Sequence, residues 1–292
     1  MKSRLLVGVS TVALVAGSIA LAPPPATAAA APTVVTLSMQ GDQAVVSPAT
    51  VQPGVVEFHV ASTFIVPGDD GGPDPLAVVL TDNLAAIVGA LPSVFGDPSD
   101  PLAAAASAQA MRTIRGAGTF YGGGTKGTVW QVRLNPGSYS VLGAQSTAMG
   151  LAKAGSFTVE GAPRAGTLHA TQATVRAVGP VGKNKWTFTQ RGSRAVTWLR
   201  FANRAHELHF LDMAGVKPGT TGAQVKKALM SNGNPTFFTN QGVSFDVVSP
   251  GVTVAIKAAL PPGRYLLTCF IPSETDGMPH SLMGMWKLAD VR

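Results

Sequence analysis

One pattern occurs twice in this chain and limits its fold more than any other feature. Trp130–Ala144 reads WQVRLNPGSYSVLGA, and Val254–Phe270 reads VAIKAALPPGRYLLTCF. In each copy alternating apolar residues run into a Pro-Gly pair (Pro136-Gly137, Pro262-Gly263). A tyrosine (Tyr139, Tyr265) then leads into a second apolar segment. Alternation of period two marks strands with one buried face. Pro-Gly makes a tight turn, because proline presets φ and glycine accepts positive φ. Upstream, GVVEFHVAST (Gly54–Thr63) resembles AVTWLRFANR (Ala195–Arg204). Each half also holds one helix-like stretch, Leu102–Gly116 in the first and Thr220–Gly233 in the second, the latter capped by Thr220. The shared order of strands, helical insertion, strands, turn and closing strand predicts a tandem duplication. Its boundary falls near Gly161-Ala162-Pro163, with one domain over 33–162 and another over 163–292. The 33 Gly and 22 Pro favour many turns over long helices, so the expected class is an all-β sandwich.

The N-terminus carries Lys2 and Arg4, then an apolar run from Leu5 to Ala22, then Ala26-Thr27-Ala28. That is the layout of a secretory signal peptide over 1–28. An uncleaved anchor is the rival reading, since the run is almost long enough to span a bilayer. No later segment has transmembrane character, so cleavage leaves a secreted or cell-envelope protein without a membrane span. Charge divides unevenly. Pro32–Pro163 holds five Lys and Arg against nine Asp and Glu, a net of −4, while Arg164–Arg292 holds fifteen against six, a net of +9. A basic second half can steer an anionic partner; the plainer reading is two solvated surfaces of opposite sign. The chain has a single cysteine, so no internal disulfide forms. Outside the cell such a residue is a free thiol, an intermolecular bridge, a metal ligand or an inert core residue.

That cysteine opens CFIPSETDGMPHSLMGM, residues 269–285, which adds a histidine and three methionines. These residue types together are the donor set of copper electron-transfer sites. HELH (His206–His209) is no zinc-protease motif, because its histidines are three apart rather than four. In a strand, residues three apart face opposite sides, so one histidine points in and one out. GAGTFYGGGTKG (Gly116–Gly127) lacks phosphate-loop spacing and reads as a flexible connection. KNKWTFTQRGSR (Lys183–Arg194) interleaves aromatic and basic residues but reads as a solvated hairpin rather than a nucleic-acid surface. No nucleophile elbow or paired acid cluster is present, so catalysis is not indicated.

FANRAHELHF (Phe201–Phe210), LPPGRYLLTCFIP (Leu260–Pro272) and GMPHSLMGMWKLADV (Gly277–Val291) resemble a secreted bacterial cupredoxin-like domain. The first half resembles a degenerate copy. The resemblance implies two tandem cupredoxin-like Greek-key β-sandwiches with short helical insertions. It also implies copper ligands at His206, Cys269, His280 and Met285, with Met283 as the alternative axial residue. Two imidazoles and a thiolate form a trigonal site, and a weak methionine contact tunes its potential. In ordinary blue-copper domains only a few residues separate cysteine and second histidine; here ten do. The segment holds two prolines and a Thr-Asp-Gly turn, so it can double back, and its length adds little closure entropy. Geometry permits the site without enforcing it. The first half offers Gly143 where the second has Cys269, so no copper is expected there. Two functions follow. One is a non-catalytic module that has lost its metal and acts in envelope-associated binding or structure. The other is a copper protein for electron transfer or copper handling, whose basic half meets an anionic envelope component or a redox partner.

Overall fold

The computed structural model describes residues 31–66, 73–94, 96–192, 194–231 and 235–292. The expected signal peptide, 1–28, lies outside the described residues. The first half contains β1 (Thr33–Gln40), β2 (Gln43–Ser47), β3 (Thr50–Val51), β4 (Gly54–Val60), β5 (Phe64–Ile65), β6 (Pro73–Asp74) and β7 (Leu76–Leu80). Helices α1 (Leu84–Val94) and α2 (Pro101–Ala117) follow, then β8 (Thr119–Gly124), β9 (Val129–Leu134), β10 (Gly137–Gly143), α3 (Ala144–Ala148) and β11 (Gly155–Val159). The second half contains β12 (Ala173–Gly179), β13 (Lys185–Gln190), β14 (Val196–Ala205), β15 (His209–Val216), α4 (Gly222–Leu229), β16 (Phe238–Val248), β17 (Thr253–Leu260), β18 (Gly263–Thr268) and β19 (Trp286–Val291). Residues 161–172 link the halves without regular structure.

The protein is all-β with helical insertions, and most of its strands form two large sheets around a large shared core. One sheet runs β13-β12-β14-β17-β9-β4-β1-β2, the other β19-β18-β15-β16-β8-β7-β10-β11-β3. Apart from β3, each order reads the same from both ends once first-half strands are exchanged for their second-half counterparts. Both sheets cross from one half to the other. β9 pairs antiparallel with β17 (Val132 opposite Val254, Trp130 opposite Ile256), and β8 meets β16 at Tyr121 and Val248. Alternating side chains turn inward, as β12 shows with Ala173, Val175 and Ala177 buried. At the join Phe245 of β16 lies edge-on to Trp130, ring centroids 5.6 Å apart, and edge-on to Phe201 at 6.5 Å.

The repeated turn has a structural reason. The Tyr139 hydroxyl donates to the Asn135 carbonyl at 2.8 Å and that of Tyr265 to the Pro261 carbonyl at 2.9 Å. Each buried ring thereby ties its strand to the residues just before the turn. Gly137 takes a φ of 152°, but Gly263 is not in the positive-φ region, so only the first copy uses glycine's left-handed freedom. α2 starts where expected, with Asp100 accepting from the Leu102 amide and Pro101 in the first turn. α4 is capped by Thr221, not Thr220, because Thr221 and Gln224 bond reciprocally to each other's backbone; the Thr220 hydroxyl instead donates to the Lys217 carbonyl. The glycine-rich stretch is not a flexible connection. Thr119–Gly124 is a strand, and a Cβ on Gly122 would lie 2.3 Å from the Phe245 ring, so glycine makes room for that side chain. Lys183–Arg194 contributes the outer strand β13, with Trp186 buried and Lys183 and Lys185 exposed.

Because Phe245 fills the join between halves, Phe245→Ala is expected to destabilise the protein by about 3–5 kcal/mol. In urea, tryptophan fluorescence and far-UV circular dichroism should still report one coincident transition. Two separated transitions would show that the halves unfold independently.

Candidate metal centre

Cys269 is the first residue beyond β18 and is fully buried. His209 opens β15, which pairs with β18, and is also fully buried. His280 comes from the loop after Cys269, and that loop does double back. Pro272 bridges to Pro279, the His280 amide donates to the Ile271 carbonyl, and the Ser281 amide donates to the Cys269 carbonyl. The ten-residue excursion thus closes on itself and returns the imidazole to the thiol. Both Nδ1 atoms, of His209 and of His280, lie 3.6 Å from Cys269 Sγ, and the ligating atoms of all three residues fall within 4.8 Å of one another. An ion held at about 2.3 Å from sulfur and 2.0 Å from nitrogen, at tetrahedral to trigonal angles, sets sulfur and nitrogen roughly 3.5–3.8 Å apart. The two sulfur–nitrogen spacings match those of a metal site.

The upstream histidine is His209, not His206. His206 is exposed and stands outside the cluster. His209 opens β15 and shares its inward face with Leu211 and Met213, whereas His206 lies in the bend before the strand and turns to solvent. Counting back by twos from the apolar Leu211 and Met213 would have found it in the sequence. Met285 is buried within the same core cluster as Cys269, and its amide donates to the His280 carbonyl at 2.9 Å. Met283 is exposed. Among the described residues no fourth Cys, His, Asp or Glu joins the three donors.

Behind the donors stands Glu207, almost wholly buried. Its carboxylate accepts from the Gly182 amide at 2.8 Å, the Glu274 amide at 2.7 Å and the Asn184 side chain, and lies 3.5 Å from His280 Nε2. Burial works to raise the Glu207 carboxyl, but the His280 ring and the two amides outweigh it and hold it well below the usual range. For His280 burial works downward, yet the facing Cys269 sulfur and the Glu207 carboxylate raise it. His209 goes the other way, lowered by burial and by the neighbouring His280. One ring is therefore poised as a neutral donor, and the other is held by a carboxylate on the face away from the sulfur. A carboxylate behind a histidine ligand fixes the ring's orientation and raises its basicity.

The loop is also clamped from the first half. The Arg115 guanidinium pairs with the Glu274 carboxylate at 2.6 Å, and Arg112 donates to the Glu274 carbonyl. Gly277 (φ 72°) lies so close to α2 that a Cβ there would overlap the Ala104 carbonyl. Asn203 fixes the approach to His209: its side-chain amide donates to the Glu207 and Val248 carbonyls, both at 2.8 Å.

The matching place in the first half has different chemistry. Gly143 sits opposite Leu76; continuing the Asp212–Thr268 register by one residue aligns Cys269 with Leu211, so Asp74 corresponds to His209. A Cβ on Gly143 would lie 2.2 Å from Asp74 Oδ2, and that carboxylate accepts from the Ser146 amide and hydroxyl at 2.7 and 2.6 Å. A carboxylate bound to a helix start replaces the thiol–imidazole pair.

No protein-family profile matches this sequence, and no curated protein does. Among solved structures the chain is similar to auracyanin B, at 22% identity over 41% of this chain and 86% of that one, TM-score 0.26. It is similar to a reduced auracyanin from Roseiflexus castenholzii, at 18% identity over 41% and 94%, TM-score 0.26. A copper-containing nitrite reductase from Thermus scotoductus matches at 12% identity over 89% of this chain and 60% of that one, TM-score 0.22. Likeness at these scores carries no weight of its own, and the chemistry rests on the side chains.

Removing the carboxylate should uncouple the cluster. In metal-free protein, Glu207→Gln is expected to lower the His280 pKa, read from its ring protons by NMR titration. Glu207→Ala should cost about 3–5 kcal/mol in chemical denaturation, because buried partners lose their counter-charge. An unchanged His280 titration would show that the 3.5 Å contact is electrostatically idle.

Proposed function

We propose that the protein is a cupredoxin-type copper protein whose single site lies in the second half, serving electron transfer or copper handling. The observation that carries this reading is the buried convergence of His209 Nδ1, His280 Nδ1 and Cys269 Sγ. Two imidazoles and a thiolate with a methionine nearby suit copper, whereas structural zinc takes four strong donors. In this role His209 and His280 would supply nitrogen donors, and Cys269 and Met285 sulfur donors. Bound copper would supply a one-electron couple. Glu207 keeps the His280 ring turned toward the sulfur, the clamp on Glu274 holds the loop shut, and burial of all three donors keeps water out.

On the same reading the chain is secreted after removal of residues 1–28 and acts in the cell envelope or outside it. Among the described residues no helix is long and apolar enough to cross a membrane. Its symmetric strand order supports an origin by duplication, with the first half retained as a scaffold that holds no metal. The net +9 of residues 164–292 suits an anionic envelope component or an acidic redox partner.

Copper titration of the reduced protein, followed by its visible spectrum, tests this directly. One equivalent should bind and give an intense thiolate-to-copper band. The band should vanish in Cys269→Ser and His209→Ala but persist in His206→Ala, which separates the two histidines. Failure to bind either Cu(I) or Cu(II) stoichiometrically would overturn the reading and return Cys269 to the role of an inert core residue.

A further inference from the structure

A cavity of about 550 Å³ opens between the metal loop and the first half. Leu91 of α1 and Met111 of α2 form one wall, Phe120 and Phe245 another, and Phe270 and Pro272 of the loop a third. Its size falls within the range of small-molecule sites, about 300–1,000 Å³. It runs from the loop holding His280 toward Asp74, the residue that stands where the first half would have its own histidine.

Within this apolar lining the titratable side chains among the described residues are Asp74 and Asp246. They differ in how they are satisfied. Asp74 is fully engaged by Ser146 and the Gln145 amide. Asp246 accepts only from the amide of its own neighbour Val247, and no cation among the described residues pairs with it. Asp246 is only partly buried, so its free oxygen is open to the cavity, where no side chain supplies a counter-charge. Burial, with Asp74 adding repulsion, raises Asp246 to about 7. The site therefore combines a large apolar volume with one unanswered acceptor at its wall, which is complementary to an apolar body bearing one ammonium group.

We propose that this cavity is a binding site for a small hydrophobic amine, whose ammonium pairs with Asp246 and whose apolar body rests against Phe270 and the two helices. The site does not depend on copper, so it stands or falls separately from the metal reading. An ammonium at Asp246 needs the carboxylate ionised, so affinity rises with pH through the range where Asp246 loses its proton. Asp74, already bonded to α3, adds to the attraction without moving.

The test is calorimetric titration of the metal-free protein with 1-naphthylmethylamine and, in parallel, with its neutral analogue 1-naphthylmethanol. The amine should bind at pH 8 at least tenfold more tightly than the alcohol. That preference should disappear in Asp246→Asn and weaken at pH 5.5. A cavity-filling variant, Leu91→Trp, should abolish binding of both compounds while leaving the circular dichroism spectrum unchanged. Equal binding of amine and alcohol, an unaffected Asp246→Asn, or no binding of either compound would each overturn the proposal.

Discussion

The candidate site depends on one buried negative charge. Glu207 cannot sit inside the protein alone, because an isolated carboxylate removed from water is strongly destabilising. Its partners come from three separate places: Gly182 and Asn184 between β12 and β13, Glu274 in the loop, and His280 beyond it. Satisfying that carboxylate draws together a hairpin, a strand start and a ten-residue excursion that chain connectivity would leave apart. The donors then converge as a consequence, since His209 lies two residues after Glu207 and Cys269 directly follows the strand paired beside it.

The two halves share a strand order but not a task. In the second, the thiol and imidazoles face one another. In the first, Asp74 and Gly143 occupy two of those places, and Asp74 anchors the start of α3 instead. The first half still contributes, through Arg112, Arg115 and the backbone of Ala104, which hold the loop from outside. This accounts for the long spacing between Cys269 and His280. A short loop could carry the histidine but could not reach α2.

Much of this was readable in the residues, because local rules and tertiary structure agreed there. The Pro-Gly-x-Tyr copies became corresponding turns that carry the chain from one sheet to the other, since a buried tyrosine needs a partner and finds it just before the turn. Cys269 and His280 were recognisable by type, and the turn-forming residues between them allowed the return. His206 was chosen over His209 because an offset from Asn203 was used where parity with Leu211 and Met213 decides. The glycines of β8 were taken for a connection because their purpose is tertiary: Gly122 makes room for Phe245, a residue more than a hundred positions away. The joining of both sheets across the halves was invisible for the same reason. It depends on edge pairing, which leaves no local pattern in a strand of alternating residues.

That joining governs what happens if the chain is cut. β9 and β17, like β8 and β16, cover one another's backbone amides and carbonyls at the middle of each sheet. Separated, either half would present two open sheet edges, the kind of surface on which further chains add as strands. Cleavage within residues 161–172, followed by separation of the halves, would therefore leave two fragments prone to aggregate. The protection each half gives the other is a constraint on keeping both, independent of which one carries the chemistry.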